Sequence, residues 1–173
     1  GGVDASVALA RLAEEDVHEL RAFYLKIWLE DELAFLGSCP WEEDLGFVRR
    51  VCAAFDVPLD VVSLQRDYHE LVVAETVAEL EAGRTPSPDV LCNRRIKFGA
   101  FVDRAGEGFD LVASGHRARV DHAASSPRLL KGADPVKDQT YFLSQLTRDQ
   151  LRRCLFPIGH LTKTEVRAEA LRM

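Results

Sequence analysis

The sequence lacks the features that define several large classes of protein. Within its 173 residues no apolar run approaches the roughly 20 residues that cross a bilayer, so no membrane association is expected. The four cysteines are widely spaced and form no Cys-x-x-Cys pair. This spacing argues against a zinc knuckle or a disulfide scaffold and fits a reducing compartment. Internal repeats and low-complexity segments are also absent.

The charge balance sets a second limit. A formal net charge of −6 argues against a protein that binds polyanions in general. Positive residues nevertheless form one local group at Arg94, Arg95 and Lys97. A second group could form from Arg117, Arg119, Arg128, Lys131 and Lys137. A local basic face is compatible with this pattern, but from these residues alone ordinary solvated surface charges are the preferred explanation.

Strand and helix patterns alternate along most of the chain. The segments that predict strands are 20–28, 59–64 and 109–114, followed by a short hairpin at 117–121 and 128–131. The segments that predict helices are 7–13, a stretch beginning at 38–40, 67–82 and 93–102. This alternation predicts an α/β fold with a doubly wound, mostly parallel sheet covered on both faces, and a small helical C-terminal extension.

Local signals complete this prediction. Two capping boxes, each predicting the start of a helix, are Thr147 with Gln150 and Thr162 with Glu165. Cys154 is predicted to lie on the first of these two helices, packed inside the protein. Tyr68 and His69, near the start of an earlier helix, are interpreted as surface or capping residues without chemistry.

The strongest chemical signal lies in a proline-rich loop after Gly83, a residue that predicts the end of the preceding helix. Pro86 and Pro88 hold this loop in extended geometry. If a helix begins near Asp89, then Asp89 and Cys92 share its first turn and one face. The helix dipole and the cations that follow would lower the pKa of the Cys92 thiol, and the nearby acid could move a proton. A small buried cysteine would explain Cys92 equally well.

Two further segments predict ligand contacts. Gly1 and Gly2 precede a helix, so backbone N–H groups could close around an anion at its N-terminus, although a simple tight turn is the alternative. Gly115 and His116 follow the predicted strand 109–114, at the sheet edge where open α/β folds bind ligands. A structural role for His116 is the alternative.

These segments together resemble the tRNA-specific 2-thiouridylases. RTPSPDVLCNRRIKF resembles the family signature GRTPNPDxxCNxxIKF, whose Asp and first catalytic Cys fall on Asp89 and Cys92. GGVDAS resembles the pyrophosphate loop SGGVDSS of ATP-pyrophosphatases, with Ala5 in place of a serine. SGHR resembles ATGHYxR with Arg117 in place of the tyrosine, and DPVKDQTYFL is similar to the motif D-x-x-KDQ-S/T-YFL. The likeness covers essentially the whole chain.

The resemblance implies a set of site residues. The catalytic pair would be Cys92 and Asp89. The nucleotide would contact Gly1, Gly2, Val3, Asp4, Ala5, Ser6, Leu25 and Gly115. The tRNA would contact Ser87, Pro88, Asp89, His116, Lys137, Asp138 and Gln139. ATP and Mg²⁺ are the expected cofactors, and no side chain is assigned to a metal.

The resemblance also implies a fold and a reaction. Residues 1–145 would form a Rossmann-like ATP-pyrophosphatase catalytic domain, related to adenine nucleotide α-hydrolases, and 146–173 would begin a helical tRNA-binding region. The reaction would be 2-thiolation of the wobble uridine of tRNA, with adenylation of the 2-carbonyl oxygen and release of AMP and pyrophosphate. Sulfur would come from a protein persulfide, and Cys92 would help to release it by forming a disulfide. A sulfur-relay protein or a cysteine desulfurase would be a partner.

Parts of the family pattern are missing from the sequence. The serine and central strand before Gly1 are absent, and none of Cys39, Cys52 or Cys154 stands in the context of the family's second catalytic cysteine. We therefore expect a chain truncated at both ends and incomplete for catalysis. The alternatives are a non-catalytic nucleotide- or tRNA-binding fragment, or another ATP-pyrophosphatase such as a tRNA lysidine synthetase or argininosuccinate synthetase.

The compartment depends on the source of the chain. A bacterial protein of this type would be cytoplasmic. Residues 23–28 and 39–45 resemble plant and algal versions and therefore favour a plastid or mitochondrion.

Overall fold

The computed structural model describes residues 2–15, 19–27, 40–123 and 125–173. Its helices are α1 (Val3–Glu15), α2 (Pro40–Ala54), α3 (the consecutive segments Gln65–Tyr68, His69–Val73 and Ala74–Glu81), α4 (Pro88–Leu91, Cys92–Ala100 and Phe101–Ala105), α5 (Arg148–Arg152) and α6 (Lys163–Arg172). Its strands are β1 (Ala22–Lys26), β2 (Leu59–Ser63), β3 (Val112–Ala113), β4 (Ala118–Asp121), β5 (Arg128–Lys131) and β6 (Cys154–Leu155). A 3₁₀ turn spans Thr140–Leu143.

The described strands pair as three two-stranded sheets. β1 pairs with β2 in parallel, with Tyr24 opposite Val61. β3 pairs with β6 in parallel, and β4 and β5 form the predicted antiparallel hairpin. Helices connect the strands of each parallel pair, and the predicted α/β class is confirmed. Hydrogen bonds do not join these pairs into one continuous sheet within the described ranges.

Three buried clusters hold the elements together. The main core packs α3 against α4 through Leu64, Val72, Leu91, Cys92, Ile96 and Phe101. A second cluster joins α4 to the short strands through Phe98, Ala118, Leu143, Cys154 and Phe156. A third joins α1 to α6 through Val7, Ala8, Ile158 and Val166. Because α6 shares a core with α1, residues 146–173 pack on the preceding part of the chain. The proposed domain boundary stays a prediction.

Turn and cap chemistry fixes the ends of the helices. Gly83 adopts φ +74 directly after α3, which confirms the predicted end of that helix. Ser87 is extended and precedes Pro88 in the first turn of α4, so this helix begins five residues earlier than Asn93. Both predicted capping boxes form, at the starts of α5 and α6.

Helix α4 bends at Gly99, whose φ −117 and ψ −105 are not helical. A Cβ there would lie 2.9 Å from the Arg94 carbonyl oxygen. The Gln150 side-chain amide donates hydrogen bonds of 2.8 Å to the carbonyl oxygens of Arg94 and Phe98. The bend is therefore stabilised by a side chain that satisfies the carbonyl groups released from the regular helical pattern.

The prediction that Cys154 lies on a helix is wrong. Helix α5 ends at Arg152, and Cys154 begins β6. The Val112 amide donates to the Arg153 carbonyl at 2.7 Å, so the chain continues as a strand beside β3. The Cys154 side chain is fully buried, which confirms the predicted packed position.

No helix in the described ranges is long and apolar enough to span a membrane.

Candidate functional site

The first turn of α1 lies directly against the segment that follows β3. A Cβ added to Gly115 would lie 2.6 Å from the Ala5 nitrogen and 2.7 Å from the Asp4 carbonyl carbon. Only glycine permits this approach without displacing backbone. Residues predicted to bind one nucleotide, from positions 4–5 and 115, therefore meet in the fold.

The first turn of α1 and Gly115 together have the properties of an anion-binding site, which we call the anion cradle. The first N–H groups of a helix have no intrahelical acceptor and carry the positive end of the helix dipole. A Cβ on Gly2 would meet no atom within 4 Å, so space is open beside these groups. The donors and the space fit the phosphates of ATP. Ser6 is already engaged, because its hydroxyl donates to the Gly2 carbonyl at 3.2 Å.

The other predicted nucleotide contacts have mixed outcomes. Gly1 lies outside the described residues. Val3 is exposed at the start of α1. Leu25 is half-buried in β1 and packs against the main core, so a core role is established for it and a nucleotide contact stays a prediction.

Cys92 is a buried, free thiol in the middle of the main core. Burial raises the pKa of the thiol, the positive charge of Lys97 lowers it, and the negative charge of Asp89 raises it. The predicted lowering of the pKa is therefore wrong. Because α4 begins at Pro88, Cys92 lies beyond its first turn, and the cation at Arg95 is paired with Glu75 at 2.7 Å. Desolvation outweighs the single nearby cation that lowers the pKa.

Tyr68 belongs to this site, although the sequence interpretation gave it no chemistry. It packs against the core that contains Cys92. Burial raises the pKa of its phenol, and charge interactions with Cys92 and Asp89 raise it further, so all three groups are neighbours. The available signal was spacing: Tyr68 lies four residues after Leu64 and four before Val72, on the buried stripe of the helix.

Ser87, Pro88 and Asp89 are exposed beside the buried thiol. The loop therefore offers its polar groups and proline rings to solvent while Cys92 faces the core. This arrangement leaves the loop accessible to a large ligand such as a nucleic acid. Direct contact with tRNA stays a prediction.

His116 is half-buried and held by three side chains. Its Nδ1 lies 2.8 Å from the Ser114 hydroxyl, and its ring lies 6.3 Å from Phe98 and 6.0 Å from Phe156 between centroids. Burial and then the charge of Lys97 lower the pKa of His116 to about 4, while the opposing charge of Asp4 raises it. The imidazole is therefore neutral near pH 7, and Lys97 influences both His116 and Cys92.

This shifted histidine predicts a pH dependence of stability. Because the folded pKa of His116 is about 4 and the unfolded value is near 6.5, the unfolded chain binds the proton first as pH falls. The neutral His116 makes its full contribution to the free energy of unfolding above about pH 6.5. This contribution should fall by about 2 kcal/mol by about pH 5. Denaturant unfolding of the wild type and His116→Gln at both pH values measures the difference. An equal pH dependence in both proteins would contradict the assignment.

The three predicted tRNA residues after the hairpin have different surroundings. Gln139 accepts a 3.1 Å hydrogen bond from the Arg117 amide, beside the cradle. Asp138 accepts from the Thr140 amide at 2.8 Å, and the hydrogen bonds from Thr140 lower its pKa. Lys137 is exposed. Gln139 is thus close to Gly115, Asp138 stabilises its own turn, and Lys137 is available to a ligand.

The second group of positive residues divides between surface and interior. The Arg117 side chain is 3% exposed and forms a 2.8 Å ion pair with Asp4, so its predicted place on a basic face is wrong. The carboxylates of the partly exposed Asp4 and the buried Asp134 hold it inside. The remaining members are exposed, at Arg119, Arg128, Lys131 and Lys137.

The site defines a class of protein: an α/β domain with an anion cradle beside a cysteine-bearing helix. The chain belongs to the tRNA methyl transferase HUP domain family, whose model matches residues 1–173. This family has the Rossmann-like fold of adenine nucleotide α-hydrolases, as expected.

Curated relatives carry one consistent name. The chain is 45% identical over 170 residues to the tRNA-specific 2-thiouridylase MnmA of Porphyromonas gingivalis strain ATCC 33277, covering 98% of this chain and 46% of the relative. It is 45% identical over 172 residues to MnmA of Alkaliphilus oremlandii, covering 99% and 46%. It is 46% identical over 168 residues to MnmA of Bacillus subtilis strain 168, covering 96% and 44%.

The resemblance to tRNA-specific 2-thiouridylases is therefore confirmed. The chain spans about half the length of the curated relatives it matches. These three relatives are bacterial, and the predicted compartment stays a prediction.

Proposed function

We propose that the intact protein catalyses ATP-dependent 2-thiolation of the wobble uridine of tRNA. The observation that carries this proposal is that the anion cradle adjoins His116, which follows Gly115 in the chain and whose ring centroid lies 6.3 Å from that of Phe98 on the cysteine-bearing helix α4. His116 in turn feels the charge of Asp4 in the anion cradle. The proposed phosphate site and the helix that carries Cys92 are therefore neighbours in the fold, which supports a reaction that uses both ATP and a thiol.

The cradle would hold the phosphates of ATP through the free backbone donors of residues 2–5, with Gly115 as its opposite wall. Leu25 would contact the nucleotide. ATP supplies the adenylyl group that makes the 2-carbonyl oxygen of uridine a leaving group. Among the described residues no group of three or more His, Cys, Asp or Glu side chains could hold a metal. Mg²⁺ would accompany the phosphates of ATP, whose oxygens, together with water, are the ligands that this ion prefers.

The tRNA would bind across the exposed loop and the segment after the hairpin. Ser87, Pro88 and Asp89 would form one wall for the wobble base, which must leave its stack to react. Lys137 would contact a phosphate, and Asp138 and Gln139 would extend the surface toward the cradle. A neutral His116 can donate or accept a hydrogen bond there without adding charge.

Cys92 and Asp89 would carry the sulfur chemistry. The outer sulfur of a donor-cysteine persulfide would attack C2 of the adenylated uridine and displace AMP. The Cys92 thiolate would then attack the inner sulfur, so that a disulfide forms, the S–S bond to the outer sulfur breaks and that sulfur stays on C2. A thiol with a raised pKa is protonated at rest, so Cys92 needs a base for this attack. Asp89 would accept this proton or orient the uracil ring. The sulfur would be supplied by a relay protein or a cysteine desulfurase.

The test is a reaction of the intact protein with unmodified tRNA, ATP and a persulfide donor. Mass spectrometry of the digested tRNA should detect 2-thiouridine at the wobble position, with one AMP formed for each thiolated base. Nucleotide binding without AMP release under these conditions would contradict the proposal and favour a non-catalytic binding protein. AMP formation with a different modified product would favour another ATP-pyrophosphatase activity.

A further inference from the structure

A buried guanidinium lies behind the anion cradle. Arg117 Nη2 lies 2.8 Å from Asp4 Oδ1, and its Nε lies 3.4 Å from Asp4 Oδ2. The fork of the guanidinium therefore meets both oxygens of one carboxylate. The Arg117 side chain is 3% exposed, whereas that of Asp4 is 33% exposed.

The same guanidinium faces a second carboxylate. Arg117 Nη1 lies 3.5 Å from Asp134 Oδ2 and has no hydrogen-bond partner among the described residues. Asp134 accepts hydrogen bonds from the amides of Val136 at 2.8 Å, Lys137 at 2.9 Å and Lys163 at 2.7 Å. These bonds, with the charge of Arg117, lower the pKa of Asp134 to about 2. Asp134 is thus a permanent anion that holds Arg117 in place.

The position of Asp4 creates an electrostatic difficulty for a phosphate ligand. Asp4 lies in the first turn of α1, where the free N–H groups would attract phosphate. Its carboxylate would repel the same phosphate, and water screens that repulsion poorly near buried groups. A guanidinium bound to both carboxylate oxygens offsets this charge and also fixes the first turn of the helix.

We propose that Arg117 is a positioning residue for the nucleotide phosphates, acting through Asp4 at the start of α1. This inference rests on the proposed function, because it requires that the cradle receives ATP. The 2-thiouridylase signature has a tyrosine at this position, so the signature does not supply this role. The chemistry that the arrangement favours is a polyanionic nucleotide rather than an uncharged nucleoside.

The experiment compares ligands of decreasing charge by calorimetry on the intact protein. In Arg117→Met, the Kd of a non-hydrolysable ATP analogue should rise about tenfold, that of ADP less, and that of adenosine less than about twofold. Arg117→Lys restores the charge without the fork and should give an intermediate Kd for the ATP analogue. Arg119→Met is the matched control, because Arg119 lies two residues further along the chain, on β4, and is exposed. All three Kd values should be unchanged in this variant.

A double variant distinguishes a loss of affinity caused by charge from one caused by impaired folding. In Arg117→Met the uncompensated carboxylate causes the loss, so adding Asp4→Asn should restore most of the affinity for the ATP analogue. Equal weakening of the ATP analogue and adenosine, or no restoration by Asp4→Asn, would overturn the role of Arg117. If Arg117→Met does not fold, Arg117→Lys provides the test. A ratio of ATP-analogue affinity to adenosine affinity equal to that of the wild type would then overturn the role of Arg117. Wild-type protein that binds ATP but forms no 2-thiouridine would contradict the proposed function alone.

Discussion

Replacing Cys92 by serine should abolish 2-thiolation of tRNA while the affinity for ATP stays within about twofold of the wild type. The hydroxyl keeps the size of the side chain but cannot form or break a bond to sulfur. The cradle at α1 and Gly115 does not contain Cys92, so nucleotide binding has no direct reason to change. Because Cys92 is buried, the hydroxyl should also lower the free energy of unfolding by about 1 kcal/mol.

Cys52→Ser is the matched control for this variant. Cys52 is a buried free thiol on α2, and burial alone raises its pKa. The control should lose similar stability and keep full thiolation. The measurements are 2-thiouridine by mass spectrometry, ATP-analogue binding by calorimetry and denaturant unfolding. Thiolation that persists in Cys92→Ser would contradict the catalytic assignment.

Replacing Gly115 by alanine should impair both nucleotide binding and stability. The new Cβ would lie 2.6 Å from the Ala5 nitrogen, and this contact is with backbone, which cannot rotate away. The first turn of α1 must shift from β3. We expect the free energy of unfolding to fall by about 1–3 kcal/mol. The affinity for an ATP analogue should fall at least about tenfold, because the backbone donors move with the turn.

Gly46→Ala on α2 is the control for the same chemical change. The nearest atom to its new Cβ is Arg50 Nη1 at 4.0 Å, so the substitution meets no obstacle. It should stabilise the helix by up to about 1 kcal/mol and leave nucleotide affinity unchanged. Calorimetric titration and denaturant unfolding of both variants measure the effects. If Gly115→Ala binds the ATP analogue as tightly as the wild type, the cradle does not lie at this contact.

Local chemistry made much of the fold predictable. The capping boxes of α5 and α6 and the stop at Gly83 depend on residues within four positions of each other, and each forms as expected. The hairpin of β4 and β5 also follows from neighbouring segments. By contrast, Cys154 is a strand residue because β3, which lies far away in the sequence, supplies its hydrogen-bonding partner.

The candidate site was less predictable because its properties depend on tertiary contacts. The sequence shows cations after Cys92 but not the burial that raises its pKa. It shows Arg117 among other positive residues but not the two carboxylates that draw it inside. Tyr68 reaches the site only because α3 packs on α4. The sequence motifs identified the residues of the candidate site, whereas tertiary packing determines their protonation and accessibility.

Under the proposed function, the placement of Cys92 on α4 would restrict how sulfur can be delivered. The thiol lies in the second turn of α4 and packs in the main core, and the C-terminal part of this helix is held by Arg104, which donates to the Ser63 carbonyl at 2.6 Å. A disulfide requires the two Cα atoms to approach within about 7 Å. Because packing in the main core holds Cys92 in place, the partner cysteine would have to move to within this distance. In the proposed reaction, the rate of sulfur transfer would therefore depend on how fast the donor cysteine reaches the thiol beside Asp89 and Tyr68.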